Sequence, residues 1–266
     1  MRHTLVCLLA SAACLLGQST KKIVTMGGDP ALIRELESAS PKARIVTATP
    51  DTVLRELADA DAYIGEIKPE QVRAGKNLQW VQTMSAGVER VLHLSGSNDL
   101  RDSSITLTNN KVVQGPEIAD HAMAMLLTLS REIPKFIANR QQEVWQGRPY
   151  GGIELNGRKA LVIGLGGIGT QIALRANAFG MEVTGLDPED KPFLSFVKRV
   201  IKPDQIDSVL PEMDVVFISA PWTPESYRLM GSRQFDLVKK GSYFIAVSRG
   251  GIYDLNGLVR ALDSKR

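Results

Sequence analysis

The stretch "ALVIGLGGIGTQIALRANAFGMEVTGLD", residues 160–187, decides how the second half of this chain folds. An apolar run ends in glycines, an amphipathic segment follows, and a second apolar run ends at Asp187. This order of residues predicts a buried strand, a tight turn, a helix and a second strand. We therefore expect a βαβ unit of a parallel sheet.

The turn of this unit carries three regularly spaced glycines. Gly164, Gly166 and Gly169 stand as G-x-G-x-x-G, which in a strand–turn–helix context is the fingerprint of dinucleotide binding. The first glycine permits the tight turn, the second lets a pyrophosphate approach the backbone, and the third packs the helix on the strand. The amides of Gly167 and Ile168 would then point at phosphate oxygens. A tight turn without a ligand is the alternative interpretation.

Asp187 predicts which dinucleotide binds. It stands eighteen residues after Gly169, at the end of the second strand. A carboxylate there accepts hydrogen bonds from both ribose hydroxyls of the adenosine and repels a 2′-phosphate. No arginine directly follows Asp187. The sequence therefore predicts NAD rather than NADP as the cofactor.

The composition narrows the class of protein. The chain has 266 residues, 44% of them hydrophobic and 23% charged, which is enough for two packed domains. Its 32 basic and 29 acidic residues give a net charge of +3 and are interspersed rather than gathered into basic blocks. We therefore expect no nucleic-acid partner. Without H-E-x-x-H, and with both cysteines in the first 19 residues, we expect no metal site.

The N-terminus is typical of an export signal. A short basic lead precedes an apolar run from Leu5 to Gly17 that ends in small residues and is too short to span a bilayer. We predict a signal peptide over residues 1–19 and an exported or periplasmic protein. Cys14 follows small residues, as at lipid-anchoring sites, and Cys7 lies within the same apolar run. The alternative is a cytoplasmic protein whose fold begins with this segment.

Two α/β domains are expected after that segment. Over residues 20–112, short apolar and amphipathic segments alternate, which predicts a first domain with a parallel sheet. Residues 113–266 form the second domain. Gly115 and Pro116 open it, and the spacing of the apolar residues that follow predicts one long helix bridging the two domains. Those residues are Ile118, Ala122, Met125, Leu126, Leu129 and Ile133.

Further segments resemble the D-isomer-specific 2-hydroxyacid dehydrogenase family, over about residues 22–266. They are "WVQTMSAGVERV" (80–91), "PEIADHAMAMLLTLSREIPK" (116–135), "ISAPWTPESYRLMG" (218–231) and "GSYFIAVSRGGIYDLNGLVRAL" (241–262). The resemblance implies a flavodoxin-like substrate domain followed by a Rossmann NAD-binding domain, both doubly wound parallel sheets. It also implies a homodimer that acts on a small 2-oxo or 2-hydroxy acid.

The resemblance assigns roles to particular residues. The family's loop for the substrate carboxylate maps onto the backbone of Ser85, Ala86 and Gly87. The strand and loop beside the nicotinamide map onto Pro221 and Thr223.

Arg249 maps onto the family's substrate-binding, catalytic arginine. A guanidinium suits that task because its planar fork of donors can bind a carboxylate and polarise the neighbouring carbonyl. Ala246 departs from the family, which has asparagine there. A surface arginine in a strand-to-helix loop is the alternative interpretation.

Hydride transfer also moves a proton and so requires a general acid or base, usually histidine. The family's catalytic histidine and its preceding glutamate lie beyond the arginine, and the sequence stops at Arg266 before both. His93 and His121 are interpreted as helix residues. We therefore expect a C-terminally truncated dehydrogenase, inactive if truncated, whose family reduces acids such as glyoxylate or hydroxypyruvate. The alternatives are a non-catalytic NAD-binding module and an enzyme of another Rossmann-fold family.

Overall fold

A computed structural model describes residues 20–145 and 151–265. The predicted signal peptide, with Cys7 and Cys14, lies outside the described residues. The chain divides into two compact units between Asn109 and Asn110, three residues before the boundary expected from the sequence. Each unit holds one five-stranded parallel sheet, which confirms the predicted fold class.

The first unit has the flavodoxin-like strand order β2-β1-β3-β4-β5. Its strands are β1 (Lys21–Thr25), β2 (Ala43–Thr47), β3 (Ala62–Ile64), β4 (Trp80–Gln82) and β5 (Thr106–Thr108). Its helices are α1 (Pro30–Ala39), α2 (Val53–Leu57), α3 (Pro69–Ala74) and α4 (Glu89–Leu92). The core includes Val24, Tyr63 and Val81 of the sheet, packed with Val53 and Leu57 of α2.

Two helices of this unit are short. Helix α2 begins at Val53, and the hydroxyl of Thr52 before it accepts a hydrogen bond from the Thr49 amide at 2.9 Å and holds the preceding residues in a turn. The segment around Glu89 forms the four-residue α4.

The second unit has the Rossmann strand order β10-β9-β6-β7-β8. Its strands are β6 (Lys159–Ile163), β7 (Glu182–Leu186), β8 (Arg199–Ile201), β9 (Val215–Ile218) and β10 (Tyr243–Ala246). Its helices are α5 (Gly115–Ser130), α6 (Ile133–Gln141), α7 (Gly167–Ala178), α8 (Ile206–Val209), α9 (Ser232–Leu237) and α10 (Leu255–Asp263). Short 3-10 turns cover Pro203–Gln205, Leu210–Glu212 and Gly250–Ile252.

Both faces of this second sheet are covered. Ala160 and Val162 of β6 belong to a core shared with α5 and α7, whereas Leu161 and Ile163 point into a second core on the opposite face. Successive strand residues face opposite ways, so a strand buried on both sides must be apolar throughout. Among the residues that the structure describes, β10 is an edge strand, paired only with β9.

The prediction of one long helix from Gly115 is wrong, because the structure has two helices, α5 and α6. The backbone of Glu132 turns left-handed there, with φ of 52°. Pro134 lacks the amide that would bond the carbonyl of Ser130 in a continuous helix. Ile153 supplies that donor instead, with 2.8 Å between its N and the Ser130 O.

Within the described ranges, no helix has both the length and the apolar character needed to cross a bilayer.

Candidate functional site

The glycine turn connects β6 to α7 and is tightly packed on two sides. Gly164 has φ of 90°, and a Cβ on it would lie 2.6 Å from the Cα of Ala220. A Cβ on Gly169 would collide with the carbonyl oxygen of Gly164. Around Gly166, by contrast, a Cβ would meet nothing within 4 Å. Space is therefore left at the middle glycine, where the fingerprint places the pyrophosphate.

The N-terminus of α7 opens onto this space. The helix begins at Gly167, and its N-cap Gly166 provides no side-chain cap. The first amides of a helix lack partners within it, so those of Gly167 and Ile168 carry the positive end of the helix dipole. These two backbone amides and the positive end of the helix dipole are suited to binding an anionic pyrophosphate.

Asp187 fastens the end of β7 to the glycine turn. Its side chain is 8% exposed. The Oδ2 atom accepts a hydrogen bond from the Leu165 amide at 2.8 Å, and Oδ1 accepts one from the Glu189 amide at 3.0 Å. Lys191 Nζ lies 3.1 Å from the same Oδ1. A carboxylate has about four acceptor positions, so about one remains for a ribose hydroxyl rather than the two predicted.

Lys191 is a residue of this site that the sequence interpretation missed. Its side chain is 15% exposed and also lies 3.0 Å from Glu189 Oε2. Burial lowers the pKa of Lys191, but hydrogen bonds to Glu189 and Asp187 outweigh burial and raise it. A protonated cation therefore stands beside the predicted ribose position. In the sequence, only its spacing of four residues from Asp187 could have indicated this ion pair.

The turn after β9 holds Pro221 and Thr223 in a hydrogen-bonded arrangement. The Ser226 hydroxyl donates to the Pro221 carbonyl and accepts from the Thr223 amide, both at 2.8 Å. Between them, the indole of Trp222 packs against Gly251, where a Cβ would collide with it. The sequence interpretation did not find this contact, which joins two segments that are separate in the chain.

Arg249 follows β10 at the carboxyl edge of the sheet and is exposed. The 3-10 turn after it is held by hydrogen bonds from the Arg228 amide to the Gly251 carbonyl at 2.9 Å and from the Met230 amide to the Ile252 carbonyl at 3.1 Å. The second unit thus brings Arg249, the glycine turn, Asp187 and the Pro221–Thr223 turn to one edge of its sheet.

Two residues that precede Arg249, Ala246 and Ser248, are partly or fully shielded from solvent at the atoms that matter here. Ala246, the departure from the family pattern, ends β10 and is half-buried. The Ser248 hydroxyl is buried and has no hydrogen-bond partner within the described chain. A polar group bound at this loop could satisfy it.

The predicted carboxylate loop, Ser85–Gly87, follows β4 in the first unit. The Ser85 amide donates to Thr83 Oγ1 at 3.2 Å, and Asn109 Nδ2 donates to the middle carbonyl of the loop at 2.9 Å. A Cβ on the glycine of the loop would collide with the carboxylate of Glu89, which is 2% exposed. The loop is therefore anchored on both sides, and its contact with a substrate carboxylate stays a prediction.

Neither histidine of the described segments lies in the Arg249 loop. His93 is the C-cap of α4 in the first unit, and His121 is exposed on α5 in the second. Residues 20–145 and 151–265 contain no group of three or more His, Cys, Asp or Glu side chains that could hold a metal ion.

Comparison with known families agrees with a dinucleotide site in the second unit. Residues 123–266, more than half of the chain, match the model of the D-isomer specific 2-hydroxyacid dehydrogenase, NAD binding domain. The chain belongs to this family. Its second unit is therefore a NAD-binding domain, and the open glycine turn, the uncapped α7 and Asp187 are the residues that would hold the cofactor.

Members of the dehydrogenase family resemble both units. The D-3-phosphoglycerate dehydrogenase of Methanocaldococcus jannaschii is 26% identical over 234 residues, covering 86% of this chain and 44% of that enzyme. A D-isomer specific 2-hydroxyacid dehydrogenase family protein from Aeromonas salmonicida has a TM-score of 0.76 at 25% identity, covering 93% of this chain and 79% of that one. The D-lactate dehydrogenase from Aquifex aeolicus, complexed with NAD and lactic acid, has a TM-score of 0.71 at 25% identity, covering 92% and 74%.

The chain spans about 40% of the length of the curated relatives that it matches.

Proposed function

We propose that this protein is an NAD-dependent oxidoreductase that interconverts a small D-2-hydroxy acid and its 2-oxo acid, such as glyoxylate or hydroxypyruvate. The observation that carries the proposal is the position of Arg249 at the same carboxyl edge as the glycine turn and Asp187. In doubly wound sheets, this edge is where ligands bind.

The chain's own residues account for binding and orientation. NAD, when bound, accepts or supplies the hydride. The amides at the start of α7 would donate hydrogen bonds to the pyrophosphate, and Asp187 would accept a hydrogen bond from the ribose. The Pro221–Thr223 turn is rigid enough to serve as one wall of the nicotinamide site, since the Ser226 hydroxyl holds it.

Arg249 would bind the substrate carboxylate and polarise the carbonyl that receives the hydride. For the first unit, the family resemblance assigns the backbone donors of the Ser85–Gly87 loop to a substrate carboxylate, and this role stays a prediction. Arginine at this position is more suitable than lysine, because only the planar guanidinium offers paired donors.

The proton that accompanies the hydride requires a positioned acid or base. His93 and His121 occupy helix positions, so neither is assigned that task. Because general acid catalysis contributes about 10²- to 10⁴-fold, we expect this 266-residue chain to turn over slowly.

Binding and turnover should therefore be measured separately on the full chain. NAD should raise the melting temperature, because it binds only the folded state. Oxamate, an unreactive 2-oxo acid analogue, should bind the NADH-loaded protein. Arg249→Lys should lose oxamate binding and keep the NAD-dependent shift.

Reduction of glyoxylate, hydroxypyruvate and pyruvate by NADH should be very slow. Brisk reduction would mean that His93, His121 or another group supplies the proton and that the site assignment is wrong. Absence of any NAD-dependent melting shift would overturn the proposed function itself.

A non-catalytic NAD-binding module of the same family is the second candidate. The helix positions of both described histidines favour it. This candidate requires NAD binding without oxamate binding, so the same measurements decide between the two.

We also propose that the protein is a homodimer. Helix α6 has no buried residue, and its apolar side chains Ile133, Phe136 and Ile137 are 41%, 37% and 53% exposed. Apolar groups clustered in this way are typical of subunit contacts. Sedimentation equilibrium should give twice the mass of the chain, and a monomer would contradict the proposal.

A further inference from the structure

The first unit contains a crevice of about 540 Å³ that the cofactor site does not use. It opens at the carboxyl ends of β1 and β3, between the loops around Gly27 and Gly65. In the order β2-β1-β3-β4-β5, the chain leaves β1 in one direction for β2 and resumes on the other side with β3. The crevice therefore lies at the topological switch point, where sheets of this kind bind small molecules.

The walls of this crevice are apolar and still reach solvent. Met26, Leu32, Leu54 and Met84, from four separate segments, are each 38–48% exposed. Apolar side chains that converge on one concave surface favour an apolar ligand group, because binding removes them from water. Two of the four are methionines, whose flexible side chains adapt to the shape of a ligand.

The crevice adjoins the predicted carboxylate loop. Met84 lines it and directly precedes Ser85. Thr83 Oγ1 donates a hydrogen bond to Glu66, another lining residue, and accepts the Ser85 amide at 3.2 Å. One hydroxyl therefore ties the loop to the wall of the crevice. A 2-oxo acid bound at the loop by its carboxylate would find this cavity next to it.

The charges around the crevice disfavour an anionic ligand. Glu66 and Glu70 line it, and Lys68 is the cation among its described lining residues. The excess of one negative charge would repel a phosphate, which carries nearly two negative charges at neutral pH. An arginine fork, the usual phosphate receptor, does not occur among these residues.

We propose that this crevice receives the substrate's side chain, and that among 2-oxo acids the chain prefers an unphosphorylated one with a bulky apolar side chain over smaller ones such as glyoxylate. The proposal rests on the proposed function. It separates this chain from its D-3-phosphoglycerate dehydrogenase relatives, whose named substrate is phosphorylated.

The test compares three acids by calorimetry on the NADH-loaded full chain. These are 2-oxo-4-methylpentanoate, glyoxylate and 3-phosphohydroxypyruvate. The branched acid should bind at least about tenfold tighter than glyoxylate, because it buries several more carbon atoms. The phosphorylated acid should bind most weakly.

Two variants and one control localise the effect. Leu54→Asp should reduce the preference for the branched acid over glyoxylate by about tenfold or more, because it places a charge in the apolar wall. Glu70→Lys should improve binding of 3-phosphohydroxypyruvate several-fold. Leu94→Asp is the control, since Leu94 is a 58% exposed leucine of the same unit and does not line the crevice.

The outcomes separate this inference from the proposed function. Tightest binding of the phosphorylated acid, or the same preference in Leu54→Asp as in the parent, would overturn the crevice assignment while the proposed function stands. Failure of all three acids to bind the NADH-loaded parent would overturn both.

Discussion

Asp187 and Lys191 form an ion pair at the predicted ribose position, with 3.1 Å between Oδ1 and Nζ. The carboxylate favours a ribose with free hydroxyls, whereas the ammonium would attract a 2′-phosphate. The pair therefore makes cofactor choice depend on two residues instead of one. Because both side chains are largely buried, solvent screens the attraction between their charges only weakly.

We expect the parent protein to bind NAD at least about tenfold tighter than NADP. Asp187→Ala should narrow the free-energy gap between the two cofactors by about 1–2 kcal/mol, because the hydrogen bond from the ribose to the charged carboxylate is lost. Lys191→Gln should widen the gap, because a 2′-phosphate then meets an unbalanced carboxylate. Calorimetric titration of both cofactors measures these changes.

A matched control for this pair is Lys198→Gln. Lys198 is bonded to Glu182 at 2.7 Å and is 60% exposed, so its loss should leave the gap unchanged. Equal affinity of the parent for NAD and NADP would contradict the role proposed for Asp187. An unchanged difference in binding free energy between the two cofactors in Lys191→Gln would contradict the role proposed for Lys191.

Three neighbouring strands of the second sheet are joined at their amino ends by Asp214, which precedes β9. Its Oδ2 accepts the Lys159 amide of β6 at 2.8 Å, and its Oδ1 accepts from Lys239 Nζ at 2.7 Å. Its carbonyl accepts the Tyr243 amide of β10 at 2.9 Å. Burial would raise the pKa of Asp214, but the bonds from Lys239 and the Lys159 amide outweigh it and lower the pKa.

Asp214→Asn should lower the free energy of unfolding by roughly 1–3 kcal/mol at pH 7, because bonds to a charged acceptor are weakened. A depressed native pKa stabilises the fold above the unfolded value of about 3.9, and this stabilisation is lost as the pH falls through the native value. The difference between parent and variant should therefore shrink below about pH 4. Denaturant unfolding at pH 7 and at pH 3 measures it.

Glu212→Gln provides the comparison for this prediction. Glu212 pairs with Lys159 at 2.7 Å but is 54% exposed, and an exposed ion pair of that kind contributes little to stability because solvent screens it. A loss of stability in Glu212→Gln as large as that in Asp214→Asn would contradict the assignment. So would a loss in Asp214→Asn that is as large at pH 3 as at pH 7.

At the scale of the whole molecule, the sequence predicts where the mature chain begins. If residues 1–19 are a signal peptide, the mature chain should start between Cys14 and Lys21 and be found outside the cytoplasm. Because no cysteine follows Cys14, this mature chain cannot form an internal disulfide, and a reducing agent should not change its melting temperature. N-terminal sequencing of protein from fractionated cells checks the start. An intact Met1 on cytoplasmic material would show that the segment belongs to the fold.

Much of the fold was predictable because it depends on local sequence. The βαβ unit over 160–187 follows from apolar runs, glycine spacing and a terminal carboxylate, all within one short stretch. Candidate cofactor residues could be named for this reason, although their roles stay predictions.

Only the tertiary structure decided features that depend on residues distant in sequence. The break between α5 and α6 is stabilised by Ile153, which bonds the carbonyl that Pro134 leaves without its usual donor. The carboxylate of Asp187 is largely occupied by bonds within the protein, including one from the Leu165 amide in the glycine turn after the neighbouring strand β6. The crevice of the first unit exists because β1 and β3, separated in sequence by β2, become neighbours in the sheet. Periodicity describes the face that a segment buries, but the partner on that face is set by how the chain folds back on itself.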